Sequence, residues 1–203
     1  MPTILLIRHA ETEFVRQGRL AGRLPGVHLN DRGVKQADAL GGRLAGIGLK
    51  AIYSSPLERA AETAGAIASR AGLGVVQRPD LTEIHYGAWE GRTLKQLRRR
   101  RLWPAVQHRP SMARFPGGES FAEAQVRITE ELLALGELHR QNDLLAAVSH
   151  ADIIKLAAAY FLGMPLDQFQ RLLVFPASIT TLQIGGHGAR LVNLNLTDWD
   201  EVQ

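Results

Sequence analysis

Two histidines in this chain stand where apolar runs end. Thr3-Ile4-Leu5-Leu6-Ile7 passes directly into Arg8-His9-Ala10-Glu11-Thr12, and Leu144 to Val148 passes into Ser149-His150. A third run, Ala51-Ile52-Tyr53-Ser54, leads into a segment carrying Glu58 and Arg59. Imidazole is nucleophilic at neutral pH and can take up a phosphoryl group covalently and then release it to water. Guanidinium is a planar, permanently charged fork matched to phosphate oxygens. Each group has an ordinary explanation when taken singly. Arg8-His9 alone reads more readily as a hydrogen-bonded histidine at a strand end beside a surface charge. His150 can cap the helix that follows it, and Arg59 can pair with Glu58 or Glu62 on its own helix. Taken together they are harder to dismiss. If the three runs are parallel neighbouring strands, both imidazoles and both guanidiniums meet at one carboxyl edge, where open α/β folds place their ligands.

An anion pocket of this kind that cleaved a phosphomonoester would need an acid for the leaving alkoxide. Glu83 is the best candidate, in the aromatic, Gly-rich stretch Leu81-Thr82-Glu83-Ile84-His85-Tyr86-Gly87-Ala88-Trp89-Glu90-Gly91. Apolar surroundings and a bound phosphate would both raise its pKa and keep its proton in place for the first step. The plainer alternative is a carboxylate hydrogen-bonded to loop amides. Glu11 and Glu90 are weaker rivals, since Glu11 can pair with Arg8 and Glu90 adjoins a turn glycine.

Strand and helix patterns alternate around these residues. A Gly-punctuated loop runs from Gln17 to Leu29. Asn30 or Asp31 caps a helix through Ala37, Leu40 and Leu44 that ends near Gly46 to Gly48. Pro56 suits the first turn of a helix reaching Ala71, Gly74 to Gln77 reads as a short strand, and Thr93 opens an Arg-rich helix. Pro116-Gly117-Gly118 is a turn, after which Glu119 or Ser120 starts a long amphipathic helix through Phe121, Val126, Ile128, Leu132 and Leu135. Ile153 to Leu162 is a helix closed by Gly163. Leu172-Val174-Phe175 and Ile179 to Ile184 read as late strands, the second pairing with Arg190 to Leu194 through Gly185-Gly186-His187-Gly188. Alternation with few hairpins predicts an α/β fold with a largely parallel sheet covered by helices on both faces.

The composition narrows the class further. A chain of 203 residues that is 45% hydrophobic suits one α/β domain over 1–203 better than two small ones. The absence of cysteine excludes disulfides, thiolate chemistry and Cys-based metal sites, and no close His–carboxylate cluster is evident, so neither a metal nor a cofactor is expected. The first strand starts at Thr3 without a basic, apolar leader, and no run reaches the ~18 apolar residues of a membrane span. A cytoplasmic protein without a membrane partner is therefore expected. The net charge of +4 and the run Arg98-Arg99-Arg100-Arg101 before Trp103 invite a nucleic-acid partner. The arginines follow Leu94 and Leu97 at helical spacing, however, and so read as a solvated helix end. A basic surface serves a small phosphorylated substrate equally well. The late strands offer an edge for a homodimer.

These motifs resemble the histidine phosphatase superfamily, the phosphoglycerate mutase-like group. Arg8-His9-Ala10-Glu11-Thr12 stands where the family has Arg-His-Gly, and Ser54 to Ala60 with Thr63-Ala64 matches its second Arg motif. Glu83 to Gly91 matches the acid loop, Gly117-Gly118-Glu119-Ser120 the turn before the long helix, and Val148-Ser149-His150-Ala151 the last motif. The likeness runs in order from Thr3 to Leu162 and is strongest to short bacterial phosphatases of the probable phosphomutase type. It implies a three-layer α/β/α sandwich and a two-step, metal-free mechanism. His9 would attack phosphorus, Arg8, Arg59 and His150 would hold the transferring oxygens, and Glu83 would shuttle the proton. Departures are Ala10 and Ala151 in place of glycines, Val15 where many members carry a phosphate-binding Asn, and Ala21 where mutases often carry a hydroxyl. These departures lean toward a hydrolase and away from a mutase that exchanges phosphoryl groups between carbons. An alternative of another class is a non-catalytic protein that binds a phospho-ligand or nucleic acid. Specificity is expected from the Gly18 to Leu29 loop and the Arg98 to Arg114 region.

Overall fold

The computed structural model describes residues 1–186 and 188–197. In chain order its strands are β1 (Thr3–Arg8), β2 (Leu49–Ser54), β3 (Val75–Gln77), β4 (Leu144–Ser149), β5 (Ile179–Gly185) and β6 (Gly188–Leu196). Its α-helices are α1 (Glu13–Arg16), α2 (Asp31–Leu44), α3 (Glu58–Ala71), α4 (Leu94–Leu97), α5 (Trp103–His108), α6 (Phe121–Leu138) and α7 (Ala151–Phe161). The sheet order is β3-β2-β4-β1-β5-β6, with β1 to β4 mutually parallel and the β5–β6 hairpin antiparallel at one side. This is the expected mixed, mostly parallel α/β sheet.

Successive side chains of a strand face opposite sides, and here both sides are apolar. Ile4 and Leu6 of β1, with Leu145 and Ala147 of β4, pack in the core that holds Phe121, Ile128 and Leu132 of α6 and Ile153 of α7. Leu5 and Ile7, with Ala146 and Val148, pack against Leu40 of α2 and Ala60 and Ile67 of α3. The continuous apolar runs before the two histidines are thus strands buried on both faces. The register pairs Arg8 with Ser149 and Ser54 with Val148, so β1, β4 and β2 end together.

Local signals explain most helix starts. Asn30 caps α2 by accepting from Gly33 N–H, and Ser120 with Glu123 forms a reciprocal capping box at α6. Gly72 and Gly163, both at positive φ, follow α3 and α7.

Several expectations need correction. Leu172–Phe175 is irregular and not a strand: Leu173 and Phe175 are exposed, Val174 O accepts from Arg8 Nη1, and Phe175 N–H donates to Asn195 Oδ1, so its backbone is committed to side chains. Pro56 lies before α3 because extended Leu57 is the cap. The Arg-rich helix stops at Leu97, and Arg98 to Arg101 form an exposed turn. No apolar side chain in that run could hold a further helical turn against the protein. Val126 of α6 points outward. The short helices α1 and α5 were not anticipated. His187, in the expected β5–β6 turn, lies outside the described residues.

Candidate active site

At the shared strand edge, His9 and His150 lie with ring centroids 5.2 Å apart and planes inclined by 59°. His9 Nδ1 donates to Ala10 O (2.7 Å), which leaves Nε2 as the lone-pair nitrogen, facing Arg59 Nε at 3.3 Å. Burial first, and then the charges of Arg59 and Arg8, hold His9 well below the usual imidazole range against the opposing Ala10 bond. The ring is therefore neutral near pH 7. His150, fully buried, is lowered well below that range by burial and then by Arg59 and His9. Its Nε2 meets Ser55 Oγ at 2.8 Å. Ser55 Oγ also accepts from Leu57 N–H; with the Ser55 hydroxyl donating to Nε2, His150 Nδ1 carries N–H. His150 occupies the cap position of α7 without a side-chain cap bond, which removes the capping explanation.

Both arginines are anchored at one end and free at the other. Arg8 Nη1 donates to Val174 O (2.7 Å), and Arg59 Nη2 donates to Gly22 O (2.8 Å). Arg8 Nε, Arg59 Nη1 and His150 Nδ1 are buried polar nitrogens without a hydrogen-bond partner among the described residues. Unpaired buried donors are costly, and those of Arg8 and Arg59, which line one cavity with His9, suit an anion with several oxygens. Arg59 does not pair with its helix neighbours. Glu58 accepts from Gly26 N–H, and Glu62 accepts from Leu29 N–H and meets His28 Nδ1, so α3 staples the 17–29 loop over the site. Gly22 sits at φ +56°, and a Cβ there would fall 2.5 Å from Glu90, so the approach of Gly22 O to Arg59 needs glycine.

Glu83 follows the tight turn Pro79–Leu81 and is buried. Its Oε1 accepts from Ile84 N–H at 3.0 Å, the bond of the plainer alternative. Yet its pKa is pushed up to about 7, by burial first and by the charge of Asp152 next, against Ile84 N–H, Arg59 and Arg8. Burial works in the same direction on Asp152 but is outweighed by the charge and hydrogen bond of Lys155 and by the Tyr86 hydroxyl, so Asp152 titrates below its ordinary value. Tyr86 OH donates to Asp152 Oδ2 (2.8 Å) and Lys155 Nζ to Oδ1 (2.7 Å). In this pair Asp152 keeps the charge and Glu83 keeps the proton. The rival carboxylates are engaged elsewhere: Glu11 accepts from Asn30 and not Arg8, and Glu90 Oε1 accepts from Arg23 and Tyr86 N–H. Arg23 also donates to Glu83 O, and Glu119 accepts from His85 N–H and Arg127, which ties the acid loop to the turn before α6.

A cavity of about 420 Å³ opens on Arg8, His9, Arg59 and Glu83. His150 is not among the residues lining it, but its ring lies beside that of His9, with centroids 5.2 Å apart. Sequence reasoning missed Asp152, Tyr86 and Ser55; Arg98 is solvated as expected and also borders the cavity. The replacements of glycine are harmless to the backbone, because neither Ala10 nor Ala151 has positive φ. Val15 and Ala21 both line the cavity. Among the described residues no cluster of three or more His, Asp or Glu is placed to hold a metal ion, and no helix is long and apolar enough to cross a membrane.

The family model for the histidine phosphatase superfamily (branch 1) matches residues 4–197. The chain belongs to that superfamily. It is 31% identical to phosphoserine phosphatase 1 of Hydrogenobacter thermophilus, over 97% of this chain and 93% of the relative. It is also 31% identical to the probable phosphoglycerate mutase GpmB of Erwinia tasmaniensis, over 89% and 84%. The chain spans about half (52%) of the length of mycobacterial relatives that it matches at 35% identity. Among solved structures, the phosphoserine phosphatase of Entamoeba histolytica in complex with 3-phosphoglyceric acid superposes with a TM-score of 0.87 at 29% identity, covering 97% of this chain and 98% of that one. The histidine phosphatase fold therefore extends across the sheet, and its relatives include both phosphatases and mutases.

Proposed function

We propose that this domain is a metal-independent phosphomonoesterase that works through a phosphohistidine on His9. One observation carries this reading: His9 Nε2, met by Arg59 Nε at 3.3 Å, shares one cavity with Arg8, Arg59 and the buried carboxyl of Glu83, and both guanidiniums keep a nitrogen unpartnered among the described residues. In the first step the His9 Nε2 lone pair forms the N–P bond as the ester P–O bond breaks, and the Glu83 proton passes to the leaving alkoxide. In the second step Glu83 carboxylate takes a proton from water, the water oxygen attacks phosphorus, and the N–P electron pair returns to Nε2. Phosphoryl transfer is mostly positioning and charge stabilisation. Arg8, Arg59 and His150 provide donors that need little reorganisation as charge develops on the transferring oxygens. The same guanidiniums fill the charge-stabilising role that a metal ion plays in other phosphatases.

The phosphatases among the relatives support hydrolysis of a small phosphorylated substrate. The mutase reading rests on the other relatives, and Val15 and Ala21 in the cavity weigh against it. Hydrolysis of p-nitrophenyl phosphate in excess EDTA tests the proposal. Full activity is expected, and activity lost to EDTA and restored by a divalent ion contradicts it. Phosphoryl exchange between carbons with little release of phosphate would favour the mutase.

A further inference from the structure

Beyond the phosphate end, the cavity is walled by side chains that the proposed chemistry does not use. Phe14 and Val15 of α1, Leu20 of the 17–29 loop, Leu94 and Leu97 of α4 and Trp103 of α5 all face it. Trp103 stacks on Trp89 of the acid loop, with centroids 6.2 Å apart and planes inclined by 17°. Trp89 in turn meets Phe115 edge to face at 5.3 Å, so the wall is backed by a fixed aromatic layer.

The polar side chains near a leaving group are mostly engaged or uncharged: Thr12 Oγ1 accepts from Val15 N–H, and Gln107 is a neutral amide. The carboxylates lining the cavity are Glu83 and Asp152. Glu83 is assigned to the proton, and the Asp152 charge is already paired with Lys155 Nζ and bonded by Tyr86 OH, which weakens its pull on a second ammonium. Gln170 Oε1 accepts from Lys155, and the Arg19 guanidinium is bound to Gly91 O and lies over Phe14. Arg98, which borders the cavity, has no carboxylate partner among the described residues, but it is exposed, where water weakens any pair it makes. A cavity of about 420 Å³ is larger than a phosphate with a two- or three-carbon tail requires and is in the range of sites that enclose ring-bearing ligands.

From this wall we infer that the substrate class is phosphomonoesters whose leaving alcohol has an apolar, ring-bearing body rather than a small charged one; this rests on the phosphomonoesterase reading of the same site. The phosphate lies against His9 and the guanidiniums, and the ring of the alcohol lies against Trp103, Leu20 and Leu94. Burying such a body removes apolar surface from water on both partners, while a zwitterionic tail loses hydration without gaining an equivalent partner.

The test separates binding from turnover. Calorimetry with 2-phenylethylphosphonate and methylphosphonate reads the wall alone, and the phenylethyl compound is expected to bind about 10- to 100-fold tighter. Trp103→Ala should remove most of that preference and leave methylphosphonate binding unchanged, and Trp103→Phe should restore part of it. If Trp103→Ala does not fold, Leu94→Asp changes a side chain that is already 38% exposed, and it should weaken the phenylethyl compound selectively. In turnover, 2-phenylethyl phosphate should exceed O-phosphoserine and 3-phosphoglycerate in kcat/KM by at least about tenfold. Equal binding of the two phosphonates, or a variant that weakens both equally, overturns the inference. Hydrolysis that favours the two small charged esters overturns it as well and leaves the phosphatase reading standing. Failure to bind either phosphonate or to hydrolyse any ester overturns that reading and this inference together.

Discussion

The two ends of the cavity are built differently. The phosphate end is made at the carboxyl ends of β1, β2 and β4, neighbouring strands buried on both faces, and its groups are held by backbone and by one another. The far wall is made by connecting segments: α1, the 17–29 loop, α4 and α5, of which the longest helix has six residues. A rigid sheet edge can keep charged donors unpaired and in place, which is what stabilising a phosphoryl transition state demands. Short loops and helices can change without disturbing that edge, which is where differences of substrate arise. The contrast predicts that changes at the edge act on chemistry and changes in the wall act on binding.

The largest effect is expected at the nucleophile. His9→Ala should reduce turnover to background for every ester. Glu83→Gln keeps the nucleophile and loses the proton. It should cost about 10²–10⁴-fold with a poor alkoxide leaving group and clearly less with p-nitrophenolate in the phosphorylation step. Equal losses for the two leaving groups in single-turnover phosphorylation would move Glu83 out of its assigned role.

The pH profile sharpens the same contrast. A carboxyl raised to about 7 is protonated below that pH and ionised above it, and the first step needs the protonated form. His9, lowered well below 6.5, keeps its lone pair through this range. For an alkyl ester, kcat/KM should therefore be level just below neutrality and fall as pH rises through about 7. Asp152→Asn removes a charge that raises Glu83 and should move this alkaline limb to lower pH. A limb that stays in place would show that Asp152 does not govern that proton. The smallest effect is expected on the wall's outer rim. Changing Arg98 to Arg101 together to Gln should leave kcat for a small ester within a few-fold, as expected of exposed charges. If the parent binds duplex DNA tightly and this variant does not, the nucleic-acid alternative gains.

The same division explains how much was legible in the sequence. His9, His150, Arg8 and Arg59 stand out because an apolar run long enough to be buried on both faces must end somewhere, and a cation or imidazole at that point is conspicuous. Glu83 was marked by its aromatic, Gly-rich setting. Asp152 was not, because an acid in the first turn of a helix reads as a partner of the helix dipole, and nothing local indicates that Tyr86 and Lys155 converge on it. The wall was only roughly legible. Helices of four and six residues carry too few positions for a periodicity, so α1 and α5 are not legible, and nothing local shows that the exposed Arg98 also borders the cavity. Leu172–Phe175 shows the reverse error. Its apolar composition suggests a strand, but its carbonyl at Val174 is needed to hold Arg8.

The central claim is that His9 carries the phosphoryl group between the two half-reactions. Glu83→Gln impairs activation of water in the second step, so the intermediate should accumulate in that variant. Rapid-quench labelling of Glu83→Gln with a phosphorylated substrate that has a good leaving group, followed by peptide mapping, reads the claim directly. The account predicts an acid-labile, alkali-stable phosphoramidate on His9 that is absent from His9→Ala. A label on any other residue, or hydrolysis that proceeds through His9→Ala, would contradict it.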